Sequence, residues 1–224
     1  MTMHSETESI PALNTPRAAA VAGILFSLLL MASMLLIRTS IPADPLAAVT
    51  DIVHHAKRLS LALNLLPFAG ICFLWFVGVL RDRLGKQEDR FFATVFFGSA
   101  LLFLAMIFVT GSVAGGIIRM LGSDSRDLIA SGTYSLGRIG IYQAMHFYAV
   151  KMAGVFMIST STIALRTRIV PRWMAFLGYA SALTLLVTIE SVSWILLVFP
   201  LWVLLLSVYI LIDNLRRQEI SAAS

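Results

Sequence analysis

Four polar side chains lie within or beside long apolar segments of this 224-residue chain and are its candidates for chemistry: Asn64, His146, Lys151 and Glu190. They offer an amide, an imidazole, an ammonium and a carboxylate, which together can bind a small polar molecule or an ion. A charged side chain in an apolar segment is costly unless it has a partner or a function. We therefore predict a binding site that uses these four residues.

The positions of the four residues along their predicted helices place them at similar depths. At 1.5 Å per residue they lie roughly 21 to 29 Å from the predicted cytoplasmic boundary. The apolar core of a bilayer is about 30 Å thick, so all four are expected in its outer half. Lys151 and Glu190 carry opposite charges, and pairing would offset the cost of burying each of them.

Each residue also has a structural explanation that the sequence leaves open. The Lys151 ammonium can reach towards the outer headgroups, or form a Lys151–Glu190 pair that fixes the register of two helices. Glu190 can lie in water at a turn, and Asn64 can cap the start of its helix. The apolar neighbours Phe147 and Val155 offer the ammonium no partner, so its partner must come from another helix or from water.

The sequence carries none of the short motifs of common enzyme chemistry. HExxH, GxSxG, GxxxxGK[ST] and CxxC are all absent. The single cysteine, Cys72, permits no internal disulfide. Only His146 of the four histidines lies inside a predicted helix, whereas a buried haem needs two on facing helices. We expect no catalytic residue, no metal site and no cofactor, and an intramembrane enzyme is the disfavoured alternative.

The composition identifies the class of protein. Hydrophobic residues make up 58% of the chain and charged residues 13%, against about 45–50% and about 25% in soluble domains. This excess excludes a soluble globular domain, a disordered chain and a secreted disulfide scaffold. The net charge of +5 is typical of Lys and Arg held in cytoplasmic loops. The expected partner is therefore the lipid bilayer and not a nucleic acid.

Six apolar segments approach or exceed the roughly 20 residues that a membrane-spanning helix needs. They are residues 18–37, 60–80, 91–118, 139–165, 173–189 and 193–212. We predict an all-α, six-helix transmembrane domain over residues 16–215, between a disordered tail, 1–15, and a short cytoplasmic tail, 216–224. Residues 190–192 separate the last two segments, and a tight hairpin is favoured there over one helix of about twice the required length.

Basic residues predict the orientation. Ten Lys and Arg residues lie on the side of the two termini and six on the other side, so both termini are predicted to be cytoplasmic. On the outer side, residues 44–58 have the periodicity of a separate short amphipathic helix at the membrane surface. Residues 119–138 are rich in Gly and Ser and are expected to form a loop, with a turn or two of helix near 126–130.

Small residues recur at four-residue spacing, which lets helices approach closely in lipid. The pairs are Ala19 and Gly23, Thr94 and Gly98, Gly111 and Gly115, and Gly178 and Ala182. We interpret them as packing contacts within one bundle, with a homodimer face as the alternative.

Three stretches give the chain a resemblance to known proteins. They are PRAAAVAGILF at 16–26, LNLLPFAGICFLWFVGVLRDRLG at 63–85 and RTRIVPRWMAFLGYA at 166–180. Over residues 16–213 the chain resembles a group of uncharacterised bacterial six-helix membrane proteins that are common in actinobacteria. The resemblance implies a six-helix fold and a place in the bacterial plasma membrane. It implies no activity and no functional residues.

The sequence therefore favours a multi-pass membrane protein that binds a small molecule, a lipid or an ion in an outward-facing polar pocket. This hypothesis predicts a cavity lined by at least two of the four polar residues. The alternative is an accessory or scaffold subunit of a membrane complex, with a second copy of the chain or another membrane protein as its partner.

Overall fold

The computed structural model describes residues 15–40, 45–84, 90–123, 131–167, 170–187 and 194–223. Every regular element within these ranges is helical, so the all-α prediction is confirmed. The helices are α1 (Thr15–Ser40), α2 (Pro45–Leu84), α3 (Arg90–Ser123), α4 (Thr133–Tyr142), α5 (Val150–Thr167), α6 (Arg172–Val187) and α7 (Ile195–Ala223). A π-helical turn, Gln143–Ala149, joins α4 directly to α5. Nearly all of the tail predicted to be disordered lies outside the described residues.

Five stretches of these helices are long and apolar enough to cross a membrane. They are Arg17–Ile37, Lys57–Arg81, Phe91–Met120, Thr133–Thr167 and Ile195–Arg216. The remaining predicted helix, 173–189, corresponds to α6, which is apolar but only 16 residues long, or about 24 Å at 1.5 Å per residue. Large apolar side chains such as Phe68, Trp75 and Phe176 are exposed on the outside of the bundle. This arrangement is that of a membrane-embedded helical protein.

The outer end of α2 differs from the prediction. Residues 45–58 are helical, as their periodicity indicates, but they are the first turns of α2 and not a separate helix. No Gly or Pro lies between Pro45 and Pro67 to end the helix. α2 therefore continues without interruption for 40 residues.

The predicted outer loop 119–138 is shorter than expected at both ends. α3 extends to Ser123, and α4 begins at Thr133. The residue before α4, Gly132, has a φ of 71°, a left-handed conformation that favours glycine. The turn of helix expected near 126–130 lies outside the described residues.

α6 and α7 form the predicted hairpin. A Cβ atom added at Gly178, in the middle of α6, would lie 3.0 Å from the indole nitrogen of Trp202 in α7. Leu185, near the end of α6, and Ile195 and Leu196, at the start of α7, line the same small space of about 10 Å³. Because the end of α6 lies beside the start of α7 and Gly178 and Trp202 meet further along, the two helices run side by side in opposite directions, which one continuous helix would not allow. The turn itself, with Glu190, lies outside the described residues.

The start of α1 and the end of α7 lie at the same end of the bundle. The guanidinium of Arg17, at the start of α1, donates a hydrogen bond to the side-chain carbonyl of Gln218, near the end of α7. Arg81 and Arg166, near the ends of α2 and α5, lie over phenylalanine rings at the start of α3, 5.2 and 4.8 Å from the ring centroids. We refer to this as the basic end of the bundle and to the opposite end as the distal end.

Five phenylalanines from five helices meet in the centre of the bundle. They are Phe26 of α1, Phe73 of α2, Phe103 of α3, Phe156 of α5 and Phe199 of α7, and each is at most 3% exposed. Ring centroids lie 4.6 Å apart for Phe26 and Phe73 and 4.7 Å apart for Phe103 and Phe199. Aromatic pairs contribute about 0.5–1.5 kcal/mol each beyond the area that they bury. This phenylalanine cluster therefore fixes the relative positions of five helices.

Close helix contacts use some of the predicted small-residue pairs and not others. Ala19 and Gly23 of α1 are buried. A Cβ atom added at Gly23 would collide with Ser207 of α7 and lie 2.8 Å from the ring of Phe76 in α2. A Cβ atom added at Gly98 of α3, in contrast, would meet no atom of the described chain within 4 Å. The packing interpretation is therefore confirmed at Gly23, whereas Gly98 faces open space.

Valine in place of Gly23 is expected to destabilise the protein, because its methyl groups would be forced against α2 and α7. Overpacking of this kind costs about 1–3 kcal/mol. Gly98→Val is the matched control, since it adds the same atoms to a helix at an open position. In thermal unfolding of the detergent-solubilised variants, Gly23→Val should have a clearly lower Tm than Gly98→Val. Equal Tm values would contradict the close packing.

Candidate functional site

A cavity of about 700 Å³ lies at the distal end of the bundle. It is partly open, and α1, α2, α3, α4, the π-helical turn and α7 line it. α1 contributes residues near its end, and α7 contributes residues at its start. The cavity therefore lies away from the start of α1 and the end of α7.

One wall of the cavity is polar. Tyr134, Arg138, Tyr142 and His146 line it and recur every four residues along α4 and the π-helical turn. Side chains at this spacing lie on one face of a helix. We call these four residues the polar stripe, and Gln143 lines the cavity beside them.

The walls opposite the polar stripe are mainly apolar. Met34 of α1, Ile118 of α3 and Leu196 of α7 belong to them. Thr110 of α3 is a polar residue on this side, but its hydroxyl donates a hydrogen bond to the Met106 carbonyl of its own helix at 2.8 Å. The lining is thus amphipathic, with its polar groups concentrated on α4 and the π-helical turn.

Packing against α3 positions α4 at the edge of the cavity. A Cβ atom added at Gly137 would lie 2.6 Å from the side chain of Ile117, so glycine allows the two helices to approach this closely. At the start of α4, the Leu136 N–H donates a hydrogen bond to the Gly132 carbonyl at 3.0 Å. These contacts hold the polar stripe in place.

The π-helical turn positions the last two members of the stripe. π-Helical turns are rare and occur frequently at functional sites. Here the Tyr142 and His146 rings stack, with centroids 4.1 Å apart and planes inclined by 15°. The imidazole of His146 is therefore held flat against an aromatic ring at the cavity wall.

The polar stripe carries a cation and a buried hydroxyl. Arg138 is half-buried, and no Asp or Glu is among the described residues that line the cavity. The described ranges hold no group of three His, Cys, Asp or Glu side chains able to bind a metal ion. Tyr134 is 4% exposed, and its hydroxyl has no hydrogen-bond partner in the described part of the chain. An unsatisfied buried polar group of this kind costs about 1–3 kcal/mol.

The phenylalanine cluster closes the inner end of the cavity. Met34, Met145 and Leu196 line both the cavity and a much smaller space of about 10 Å³ beside it. Phe103 and Phe199 of the cluster line that smaller space, which has room for about one water molecule at most. The cavity is therefore a pocket with a floor.

Of the four residues predicted to form a site, His146 lines this cavity. Asn64 is exposed on the outside of α2, as is Phe68 one turn further on. Lys151 is half-buried and contacts α6. Neither Asn64 nor Lys151 is among the described residues that line the cavity, and Glu190 lies outside the described ranges.

Lys151 finds its partners at the end of α6. Its ammonium donates hydrogen bonds to the carbonyls of Leu185 and Leu186, at 3.1 and 2.5 Å. Carbonyls in the last turn of a helix lack partners in the helix and carry the negative end of its dipole. The ring centroid of Phe147 also lies 5.9 Å from the ammonium. The expectation that this neighbour offers no partner is therefore wrong, since the ring is within the range of a weak cation–π contact.

Three members of the polar stripe are not among the residues predicted to form a site. Tyr134 and Arg138 fall in the predicted loop 119–138, and Tyr142 falls in the predicted helix 139–165. The signal that would have found them is their four-residue spacing from His146, which predicts one helical face.

Comparisons of this chain with protein families, with curated proteins and with solved structures found no match. The resemblance to bacterial six-helix membrane proteins therefore stays a prediction.

Replacing Lys151 with Met is expected to destabilise the protein by about 1 kcal/mol, because it removes a cation from the end of α6. Lys57→Met is the matched control, since Lys57 is exposed on α2, and its Tm should stay close to that of the parent. Unfolding of Lys151→Met at the parent temperature would contradict the role of this contact.

The predicted Lys151–Glu190 pair has its own test in a double-mutant cycle. Glu190→Gln is combined with Lys151→Met, and the Tm values of the single and double variants are compared. If the two residues pair, the effects should be non-additive. Additive effects would contradict the pair and leave the α6 carbonyls as the partners of Lys151.

Proposed function

We propose that this chain is a multi-pass protein of the bacterial plasma membrane that binds an amphipathic small molecule in the distal cavity. The observation that carries this proposal is the lining, in which one polar stripe faces apolar walls. A ligand with a polar part and an apolar part would match both surfaces at once.

The size and floor of the cavity support binding of a single ligand. Its volume of about 700 Å³ falls within the range of about 300–1,000 Å³ that is typical of small-molecule pockets. Such pockets are mostly apolar with a few well-placed polar groups. The buried phenylalanines beneath the cavity favour a molecule that is held there over one that passes through.

The charge distribution favours an outward-facing cavity. The start of α1 and the end of α7 lie at the basic end, with the arginines Arg17, Arg81, Arg166 and Arg216. Basic residues concentrate on the cytoplasmic side of membrane proteins. With the basic end in the cytoplasm, the distal cavity opens towards the outer face of the membrane.

An accessory subunit of a membrane complex is the second candidate function. The observation in its favour is the face of α3 around Gly98, where added side-chain atoms would meet nothing in the described chain. Small residues of this kind let a helix from another protein approach closely.

Filling the cavity should abolish binding. Ala114 lines it and is buried, so Ala114→Trp would occupy the space of the ligand. Ala105→Trp is the matched control on the same helix, because Ala105 is exposed on the outside of the bundle. Native mass spectrometry of protein gently extracted from its own membrane is expected to show an extra small-molecule mass on the parent and on Ala105→Trp, and none on Ala114→Trp.

Two results would contradict the proposed function. The first is the same extra mass on Ala114→Trp, which would place the molecule elsewhere. The second is a co-purifying polypeptide with no small-molecule mass on any variant, which would favour the accessory subunit.

A further inference from the structure

We infer that the distal cavity opens sideways into the bilayer between α1 and α4 and holds one acyl chain of a membrane lipid. This inference rests on the proposed function and names the class of ligand. It follows from the exposed residues of the cavity wall, from the helix faces to which they belong and from an exposed amide beside them.

Two large apolar residues form an exposed rim of the cavity. Leu35 of α1 and Ile139 of α4 both line it and are 46% and 59% exposed. Lining residues further in are covered, since Ala114 and Met145 are 5% and 8% exposed. Within the described ranges α4 packs against α3 and the π-helical turn and makes no comparable contact with α1. The cavity therefore has an opening between α1 and α4, which we call the mouth.

Both rim residues belong to helix faces that point towards lipid. Leu35 continues a row of exposed apolar side chains on α1 at the spacing of one helical face. The other members of this row are Val21, Leu25 and Leu28. On α4, Leu136 precedes Ile139 by three residues and is 73% exposed, so the two side chains lie on neighbouring parts of one face. The mouth is therefore bordered on both sides by surfaces that suit lipid chains.

The mouth also lies at the depth of the bilayer. Leu35 follows Arg17, at the basic end, by 18 residues, which is roughly 27 Å along α1. The apolar core of a bilayer is about 30 Å thick. With the basic end at one membrane surface, Leu35 thus lies inside the core, near its opposite surface. α4 belongs to the apolar stretch Thr133–Thr167, so this side of the mouth is also compatible with lipid.

An exposed amide lies beside the apolar rim. Gln143 lines the cavity, is exposed and follows Ile139 by four residues. An amide that faces lipid lacks the hydrogen bonds that water would supply. Its N–H groups would donate to the ester carbonyls of a glycerolipid. The lipid would then lie with its esters at Gln143 and one chain in the cavity, against Met34 of α1 and Leu196 of α7.

The test places a photoreactive group where only a chain inside the cavity can bring it. The full chain is reconstituted in nanodiscs of phosphatidylcholine, a small fraction of which carries a diazirine at the end of one acyl chain. After irradiation, mass spectrometry locates the labelled residues. We expect labelling of Met145, which lines the cavity and is too buried for the lipid around the bundle to reach. Palmitate with the same diazirine serves as a single-chain probe that exchanges through water.

Filling the cavity tests whether the label reaches Met145 from inside. Ala114→Trp should abolish the labelling of Met145, because the indole would take the space of the chain. Ala105→Trp is the matched control on the outside of the same helix and should leave the labelling unchanged.

Variants of the rim test the mouth. Ile139→Glu places a carboxylate in the path of the chain and should lower the labelling of Met145 severalfold. Leu136→Glu is the matched control, because it adds the same charge to the exposed face of α4 at a position that is not among the described lining residues. Gln143→Leu removes the amide and should lower the labelling about two- to tenfold, the effect of one hydrogen bond.

The outcomes separate this inference from the proposed function. Labelling of the parent confined to outward-facing residues such as Phe68 would overturn the inference, while an extra mass that Ala114→Trp removes would still support the proposed function. Labelling of Met145 by the palmitate probe and not by the two-chain lipid would overturn the class of ligand alone. Equal effects of Ile139→Glu and Leu136→Glu would overturn the mouth. Labelling of Met145 that persists in Ala114→Trp, together with an unchanged small-molecule mass on that variant, would overturn both proposals.

Discussion

Helices in lipid are held together by contact, because an apolar side chain gains little by moving from lipid to a protein interior. In this chain the contact on which the other elements depend is the phenylalanine cluster. Its rings come from α1, α2, α3, α5 and α7 and touch one another edge to face. Within the bundle the cluster lies next to the distal cavity. The cluster fixes the positions of five helices relative to one another. Next to it, the distal ends of the helices enclose the cavity.

The membrane-spanning helices were predictable because the requirement behind them is local. Each span must offer about 20 apolar residues in succession, and that is visible in the sequence without knowledge of the neighbours. The ends of the helices in water have no such requirement. Residues 45–58 suit either a separate interfacial helix or the start of α2, and residues 133–138 resemble part of a Gly- and Ser-containing loop until the packing of α4 on α3 is known. These choices depend on contacts between helices, which one sequence does not show.

The site was less predictable for a geometric reason. Counting residues from a helix end gives depth, but a side chain also needs the correct direction around the helix axis. Asn64 has the expected position along α2 and faces outwards. In the fourth span the π-helical turn Gln143–Ala149 changes the number of residues per turn. The directions of side chains after this turn therefore cannot be extrapolated with the ordinary 3.6-residue period. His146 lines the cavity, whereas Lys151 contacts the end of α6.

The cost of a charge in an apolar segment shows that a partner is needed, and the partner need not be a ligand. α6 is about 24 Å long, less than the roughly 30 Å of a bilayer core, and the carbonyls of its last turn have no partners within the helix. Lys151 reaches them from α5 and satisfies both groups. Arg138 belongs to a different environment, since it lines a cavity and stands one turn from the buried hydroxyl of Tyr134. Depth and charge single out Lys151 in the sequence, and its surroundings show a packing contact, whereas Arg138 is recognised only once α4 is placed at the cavity.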